Sequence, residues 1–358
     1  MNKFLKRAQE LEASMKSDRH YLHQNAEVGF DLPITTKYVM DRLQEIGLEP
    51  KEICKSGVTA LIEGKKPGKT YLLRADMDAL SMNEENVLEF ASKTNAAHNC
   101  GHDMHTAMLL GAAKLLKQNQ DQIEGTVKLV FQPDEEGFTG AKKMIKAGVL
   151  ENPKVDAAFA AHLWGYLNEG EVHLKEGPMM ASPDIFNIKV IGKGGHGAVP
   201  QESIDPIVIT CQIVNSLQTI VSRKINPLDP VVITCGRIQG GDCHNVIPNE
   251  VELEGTIRTF NEETRNWVPK VMEDLIRGIT TSQGAAYEFK YEPKYPALIN
   301  DKYMTSFAKE SLKKVVGEEN VFDLKEPNMG GEDFAYFAQK VPSAFIFVGI
   351  ANNKSEPV

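Results

Sequence analysis

Two kinds of strand pattern occur in different parts of the chain, and they restrict the fold to two architectures within one polypeptide. Short, nearly unbroken apolar runs occupy residues 71–73, 127–131, 157–161 and 345–348. Such runs are typical of parallel strands that are covered on both faces of a sheet. Segments with apolar residues at helical spacing lie before and between them, such as Val39, Met40, Leu43 and Ile46 before the first run, and Ala107, Leu110 and Leu115 before the second. The alternation predicts an α/β domain with a mostly parallel sheet flanked by helices.

The middle of the chain shows a different pattern. Apolar residues alternate with polar ones around Phe186, Ile188 and Val190, and again from 251 to 257. A period of two predicts an antiparallel sheet that is covered on one face only. Two amphipathic segments, at about 205–224 and 262–282, supply helices to cover that face. We therefore predict an α+β domain at 184–295, inserted into a discontinuous α/β domain of residues 1–183 and 296–358.

Composition excludes several classes of protein. The 358 residues include 49 acidic and 40 basic side chains, giving a net charge of −9. Because no run of six like charges occurs, we expect neither a nucleic-acid partner nor a polybasic membrane contact. No apolar run approaches the ~20 residues that cross a bilayer. The five cysteines form no CxxC pair, and residues 1–16 do not resemble a signal peptide, so we expect free thiols and a cytoplasmic location.

Polar residues of an unusual kind follow the apolar strands. Segment 74–78 comes after the first strand, 132–137 after the second, and His162 after the third. Segment 98–105 lies between the first two and directly precedes a predicted helix. In open α/β sheets, functional groups gather beyond the carboxyl ends of parallel strands. Four separate segments are therefore predicted to bring Asp, Cys, His and Glu to one edge of the sheet.

These side chains are ligands of divalent metals, because thiolate, imidazole and carboxylate suit zinc and its first-row neighbours. Cys100 and His102 are two residues apart, so both can face one side of an extended turn. Glu135 and Glu136 are adjacent and do not easily face the same ion. One glutamate is thus expected to bind metal and the other to carry a proton. A metal lowers the pKa of bound water towards about 7, and a nearby carboxylate accepts the proton.

Other candidates are assigned structural roles. Cys54, Cys211 and Cys235 are interpreted as small buried hydrophobes. The histidines outside the motifs are expected to be structural or surface residues: His20, His23 and His173. Asp76 and Asp78 either cap a turn or belong to the site, and the second interpretation is favoured.

Two glycine-rich segments imitate nucleotide-binding motifs. Segment 64–70 has three residues between its glycines, where a phosphate loop needs four, and it precedes a strand. We interpret it as a polar hairpin turn. Segment 192–197 matches G-x-G-x-x-G, but the strand before it alternates and the next helix begins only near Asp205. We expect a flexible loop that presents His196 to a ligand.

The motifs occur together in a recognisable order: Arg74–Leu80, His98–His105, Gln132–Gly137, Gly194–His196 and Gly330–Phe334. The chain resembles the metal-dependent aminoacylase/carboxypeptidase-type amidohydrolases, in the branch of indole-acetyl-amino-acid hydrolases, hippurate hydrolases and N-acetyl-diaminopimelate deacetylases. The resemblance covers essentially the whole chain. The segment Cys100–Asp103 is highly specific to that branch.

The resemblance implies a catalytic domain that binds two divalent ions (Zn, Mn, Co or Ni) and an inserted lid domain at 184–295 that dimerises. The implied metal ligands are Cys100, His102, Glu136 and His162. Glu135 resembles the general base, and His196 the lid histidine that polarises the scissile carbonyl in the partner subunit's site. Asn245 and Arg258 match positions that hold the substrate's carboxylate. Further carboxylates are expected around the ligands: Asp76, Asp78, Asp103 and Glu332.

The activity that the resemblance implies is hydrolysis of a small N-acyl amino acid by a homodimer. Two alternatives stay open: a dipeptidase or carboxypeptidase with the same chemistry, and a catalytically silent, metal-stabilised dimer that binds ligands. The family has a further histidine ligand and a closing helix after the strand at 345–348. The sequence ends at Val358 before either, so we expect the natural protein to be longer and the second metal to lack one ligand in the chain as given.

Overall fold

The computed structural model describes residues 3–352. The chain separates into two compact units. The first consists of Met1–Met179, Ile299–Glu326 and Asp333–Val358, and the second of Met180–Leu298 and Pro327–Glu332. The predicted insertion at 184–295 lies within the second unit. That unit also includes the short segment Pro327–Glu332, which the sequence pattern did not indicate.

The first unit contains an eight-stranded sheet. Its strands are β1 (Lys51–Cys54), β2 (Gly57–Glu63), β3 (Lys66–Asp76), β4 (Glu124–Gln132), β5 (Ala157–Asn168), β6 (Val172–Leu174), β15 (Val321–Asp323) and β16 (Ser343–Ala351), in the spatial order β1-β2-β4-β3-β5-β16-β6-β15. Four of the seven neighbouring pairs are parallel (β4–β3, β3–β5, β5–β16 and β6–β15), whereas β1–β2, β2–β4 and β16–β6 are antiparallel. The prediction of a mostly parallel sheet is confirmed.

Helices flank this sheet, as predicted. They are α1 (Lys3–Glu10), α2 (Glu12–Gln24), α3 (Pro33–Glu45), α4 (His102–Gln118), α5 (Gly140–Lys146), α8 (Lys302–Val316) and α9 (Ala335–Ala338), with 3-10 turns at Gln120–Gln122 and Glu318–Asn320. Helices α3 and α4 pack on one face of the sheet through Leu43, Leu110 and Ala113, against Leu129 and Phe131 of β4. Within residues 3–352, no helix combines the length and apolarity needed to span a bilayer.

Segment 64–70 is not the hairpin turn that its composition suggested. Strand β4 lies between β2 and β3 in the sheet, so the two strands joined by this segment are not neighbours. The N–H of Gly64 donates to the carbonyl of Gly125 at 2.8 Å. A Cβ atom at Gly64 would overlap the backbone carbonyl of Ile123. The glycine is thus needed for the close approach of two chain segments about 60 residues apart.

The second unit contains a four-stranded antiparallel sheet covered on one face by two helices. Its strands are β8 (Ser182–Ile191), β10 (Val231–Gln239), β12 (Glu250–Thr259) and β13 (Ala286–Glu292), in the order β10-β12-β8-β13, and its helices are α6 (Pro206–Arg223) and α7 (Glu262–Ser282). Phe186, Ile188 and Val190 are fully buried beneath the helices, as their alternation predicted. Asp205 and Asn261 begin the helices by accepting hydrogen bonds from backbone N–H groups of the first turn.

Shorter elements lie outside the two main sheets. Two small sheets are formed by β9 (Gly195–His196) with β11 (Val246–Ile247), and by β7 (Gly177–Met180) with β14 (Leu298–Asn300). A 3-10 turn spans Pro200–Glu202.

Candidate functional site

The polar segments of the first unit meet at one edge of the large sheet. Strands β3 and β4 end at Asp76 and Gln132, and α4 begins at His102. Strand β5 pairs with β3 only as far as Ala160, so His162 lies just beyond the end of that parallel ladder. Donor atoms of Cys100, His102 and His162 lie within 4.8 Å of one another. A second group within the same distance consists of donor atoms of His102, Glu135 and Glu136.

Both histidines of the first group turn the same ring nitrogen towards the cluster. The Nδ1 atom of His102 is 2.8 Å from the backbone carbonyl of Asp78, and Nδ1 of His162 is 2.6 Å from the carbonyl of Leu163. Because a carbonyl only accepts, each Nδ1 carries a proton, and in a neutral ring Nε2 then keeps the lone pair that binds a metal. This is the tautomer that a metal ligand requires.

Two buried atoms near the centre of the cluster have no hydrogen-bond partner among the described residues: Nε2 of His102 and Oε1 of Glu136. They lie 4.0 Å apart. An unpartnered buried polar atom costs about 1–3 kcal/mol, so native structures satisfy such atoms. Two ligands at about 2.0–2.2 Å from one tetrahedral ion lie about 3.4 Å apart, so a shift of about half an ångström would let both atoms bind the same ion. The geometry and the thiolate, imidazole and carboxylate donors therefore fit a first-row divalent cation.

The two adjacent glutamates are held by one carboxylate. The backbone N–H groups of Glu135 and Glu136 both donate to Asp78, at 2.9 and 3.0 Å. Asp134 directly before them has a φ of 61°, and this left-handed turn aims successive N–H groups at one acceptor. Asp78 thus fixes both glutamates with its carboxylate and His102 with its carbonyl.

Contrary to the expectation from their adjacency, both glutamates bring an oxygen close to His102. They differ in their surroundings. Glu135 is 7% exposed, and its Oε1 accepts a hydrogen bond from the N–H of Asp333 at 3.2 Å. Glu136 is the residue with the unpartnered oxygen. Burial raises the pKa of its carboxyl group, although His102 opposes this rise. These differences favour Glu136 as the metal ligand and Glu135 as the proton carrier.

Asp76 and His105 form a buried support beside the cluster. Asp76 accepts from Nδ1 of His105 at 2.6 Å and from Nη1 of Arg74 at 2.6 Å. Nε2 of His105 in turn accepts the N–H of Leu163 at 3.0 Å. Both nitrogens of His105 are therefore engaged, which excludes it as a metal ligand in this arrangement. Burial opposes the ionisation of Asp76, but Arg74, His102 and His105 hold its pKa well below the usual range.

Asp103 connects the beginning of α4 with α2. Its Oδ2 lies 2.8 Å from Nδ1 of His23 and 3.1 Å from Nε of Arg19. Burial opposes its ionisation, but His23, His98 and Arg19 lower the pKa of Asp103 to about 2. The hydrogen bond to Asp103 raises the pKa of His23, which also contacts Glu84. The sequence offered no signal for these contacts, because His23 lies 80 residues before Asp103.

The remaining predicted site residues belong to the second unit. The exposed His196 pairs with Val246 in the β9–β11 ladder, and the N–H of Gly197 donates to the carbonyl of Asn245 at 2.8 Å. A Cβ atom at Gly197 would lie 2.9 Å from that carbonyl oxygen. Gly197 therefore permits close backbone contact within a short β-ladder.

The side chains of the predicted site residues in the second unit differ in their surroundings. Nδ1 of His196 accepts the N–H of Ala198 at 3.1 Å, so a neutral ring carries its proton on Nε2. Arg258 is half-buried, and its Nη1 donates to Oγ1 of Thr256. Glu332 is 1% exposed.

Comparisons with known proteins agree with this chemistry. The family model described as "Peptidase family M20/M25/M40" matches residues 72–357. An N-acyl-L-amino acid amidohydrolase from Geobacillus stearothermophilus is 47% identical over 285 residues, which are 79% of this chain and 76% of that protein. Thermostable carboxypeptidase 2 from Saccharolobus solfataricus is 41% identical over 94% of this chain and 86% of its own. A crystal structure of the Bacillus subtilis YXEP protein, described as a dinuclear metal binding peptidase, superposes with a TM-score of 0.84 at 36% identity, covering 97% of this chain and 91% of that one.

Proposed function

The chain belongs to peptidase family M20/M25/M40, and we propose that it is a metal-dependent amidohydrolase that cleaves N-acyl amino acids to a carboxylic acid and an amino acid. The observation that carries this proposal is the cluster of Cys100, His102, Glu136 and His162, with its two unpartnered buried atoms. We assign these four side chains as ligands of two divalent ions. Their mixed sulfur, nitrogen and oxygen donors suit zinc, manganese, cobalt or nickel.

Glu135 is the proposed general base and acid. When bound, the ions would polarise the scissile carbonyl and lower the pKa of water. The Glu135 carboxylate then takes the proton of the attacking water and delivers it to the leaving nitrogen, which departs as an amine. The backbone N–H of Glu135 donates a hydrogen bond to Asp78, and its carboxylate accepts one from the N–H of Asp333. These two hydrogen bonds hold Glu135 in place for both proton transfers.

The second unit supplies the proposed contacts to substrate. The hydrogen bond from Ala198 leaves the Nε2–H of a neutral His196 as a donor, which suits a developing oxyanion. We infer that Asn245 and Arg258 hold the substrate's carboxylate, since a guanidinium group binds carboxylates in a bidentate manner. On a chain with a net charge of −9, local groups of this kind are needed to bind an anion.

We further infer a homodimer formed through the second unit, with His196 acting in the partner's site. Strand β10 is an edge strand of the described sheet. Ile238 on this strand is 52% exposed, and Val208 on α6 is also 52% exposed. An open edge beside exposed apolar residues is a typical pairing surface.

We also infer a cytoplasmic location, because all five cysteines are free thiols.

Mixing two inactive variants tests the shared site. Glu135→Gln and His196→Ala should each be nearly inactive alone. Random exchange of subunits in an equal mixture should restore about a quarter of the parental activity, because one of the two sites in each hybrid dimer of a twofold assembly is intact. The measurement is hippurate hydrolysis after the two proteins are mixed and incubated. If the hybrids stay inactive although subunit exchange is demonstrated, His196 does not act across the interface.

Replacing Arg258 by Ala tests the carboxylate contact. Loss of a charge-assisted hydrogen bond of about 1.5–3 kcal/mol should lower kcat/KM for an N-acyl amino acid by about 10- to 150-fold. The methyl ester of the same compound should be affected far less. Equal losses on the acid and the ester would argue against the assigned role.

A substrate panel tests the proposed function itself. The protein is purified with manganese, cobalt or zinc, and assayed with hippurate, N-acetyl amino acids and dipeptides. Preference for the acyl amino acids supports the proposal. Preference for peptides would favour the second candidate, a carboxypeptidase or dipeptidase with the same machinery, which the similarity to a carboxypeptidase supports. Metal binding without any turnover would instead indicate a silent, ligand-binding dimer.

A further inference from the structure

Asp333 is the centre of a buried network in the first unit. The residue is fully buried, and its carboxylate accepts hydrogen bonds from Nη2 of Arg74 at 3.0 Å, Nε2 of Gln132 at 2.7 Å and the N–H of Ala141 at 2.9 Å. These donors come from β3, β4 and α5. One carboxylate therefore connects two strands and a helix at the edge of the sheet where the metal-binding cluster lies.

The backbone of the same residue contacts the proposed general base. The N–H of Asp333 donates to Oε1 of Glu135 at 3.2 Å. Phe334, the next residue, is fully buried and packs on Phe337 and Phe345, with ring centroids 5.6 and 5.7 Å apart. The segment is thus anchored on one side by charge-assisted hydrogen bonds and on the other by aromatic packing. An N–H held in this way restricts where the Glu135 carboxylate can lie.

We propose that Asp333 is a positioning residue for the general base. Its side chain fixes the backbone N–H that orients the Glu135 carboxylate towards the attacking water, and it touches no reacting atom itself. The inference depends on the function proposed above, since it assigns Asp333 to the reaction of Glu135. The metal ligands have their own supports, because His102 and Glu136 are both held by Asp78. Carboxylate oxygens of Asp333 and Glu135 also lie within 4.8 Å of each other, so the metal content of an Asp333 variant separates the positioning role from a role in metal binding.

The first test is Asp333→Asn, which keeps the volume of the side chain and removes its charge. Because small misplacement of a catalytic group costs up to about 100-fold, we expect kcat to fall about 10- to 100-fold. KM should stay within about threefold, since substrate binding is not affected. Metal content should match that of the parent protein. A kcat within about twofold of the parent value, or a loss of metal that accounts for the lower rate, would overturn the proposal.

Asp184→Asn is the matched control for a loss of stability. Asp184 is an equally buried carboxylate that also binds an arginine, Arg265, at 2.7 and 2.8 Å, and a backbone N–H, that of Lys294, at 2.9 Å. It belongs to the second unit, whereas Glu135 belongs to the first. Both variants should lower Tm, but only Asp333→Asn should show the large fall in kcat. If the two variants had the same Tm and the same fall in kcat, Asp333 would contribute only to the stability of the fold.

A second measurement needs no activity. In the metal-free protein, Glu135→Ala should accelerate hydrogen exchange of the Asp333 amide by at least about tenfold, because a hydrogen-bond acceptor is lost. The amide of Thr70, which donates to Asp156 at 2.8 Å, should be unchanged. Unchanged exchange at Asp333 would overturn the positioning contact. If the parent hydrolysed none of the panel, the proposed function would fail, and the exchange rates would still decide whether Asp333 holds Glu135.

Discussion

Replacing Glu135 by Gln is expected to lower kcat by about 100- to 10,000-fold, the usual contribution of a general base. The amide has almost the same shape as the carboxylate and can still accept the N–H of Asp333, but it cannot take a proton from water. The hydrogen bond from the backbone N–H of Glu135 to the carboxylate of Asp78 is also retained. The fold of the site should therefore persist, and metal analysis should find the parental content. The measurement is steady-state hydrolysis of hippurate, together with metal analysis of the same sample.

The neighbouring residue provides the matched control. Glu136→Gln makes the same chemical change one position later, at the carboxylate whose Oε1 has no hydrogen-bond partner among the described residues. This variant should lose both activity and metal, because an amide is a poor ligand compared with a carboxylate. Near-normal turnover of Glu135→Gln would remove Glu135 from the mechanism. Equal metal loss in both variants would make both glutamates ligands.

The sequence predicted the layers of the fold because burial repeats locally along the chain. The helices expected at about 205–224 and 262–282 are observed at Pro206–Arg223 and Glu262–Ser282. The strand at 186–190 buries the three side chains that its alternation indicated. Hydrophobic periodicity is a property of residues that are close in sequence, so it can be recognised without knowing the tertiary contacts. Where a contact joins distant segments, the same reasoning fails. The hairpin expected at 64–70 is absent because β4, from more than 50 residues later, lies between the two strands.

The candidate site shows the same contrast between features that follow from local sequence patterns and features that depend on distant contacts. Its proposed ligands were recognisable because thiol, imidazole and carboxylate residues follow apolar strands in short motifs. The groups that hold these ligands were not. Arg19 and His23 reach Asp103 from α2, and Asp333 reaches Glu135 across 198 residues. Such partners are ordinary residues in ordinary segments, and only the folded chain reveals them. Asp333 lies within the motif Gly330–Phe334, but its neighbour Glu332 is the residue for which the sequence predicts a role at the site.

Removing the metal by chelation is expected to lower turnover by at least about 1000-fold without unfolding the protein, because water at pH 7 is then no longer activated. The ligands keep their positions without the ion. His102 and Glu136 are bound to Asp78, and His162 to the carbonyl of Leu163. Circular dichroism should therefore show an unchanged fold. Tm should nevertheless fall, because a ligand present at about 1000 times its Kd stabilises the native state by about 4 kcal/mol.

Adding back manganese, cobalt or zinc should restore both Tm and turnover, and the ion that restores most identifies the best cofactor among the three. Cys100→Ser is the control for specific binding, since a hydroxyl group is a far weaker ligand than a thiolate at neutral pH. Its Tm should respond less to added metal than that of the parent protein. Chelation that removes all detectable metal and leaves turnover intact would contradict the mechanism, because Glu135 alone cannot make water nucleophilic enough to attack an amide. Unfolding on chelation would instead show that the ion, rather than the network around Asp78, holds the ligands together.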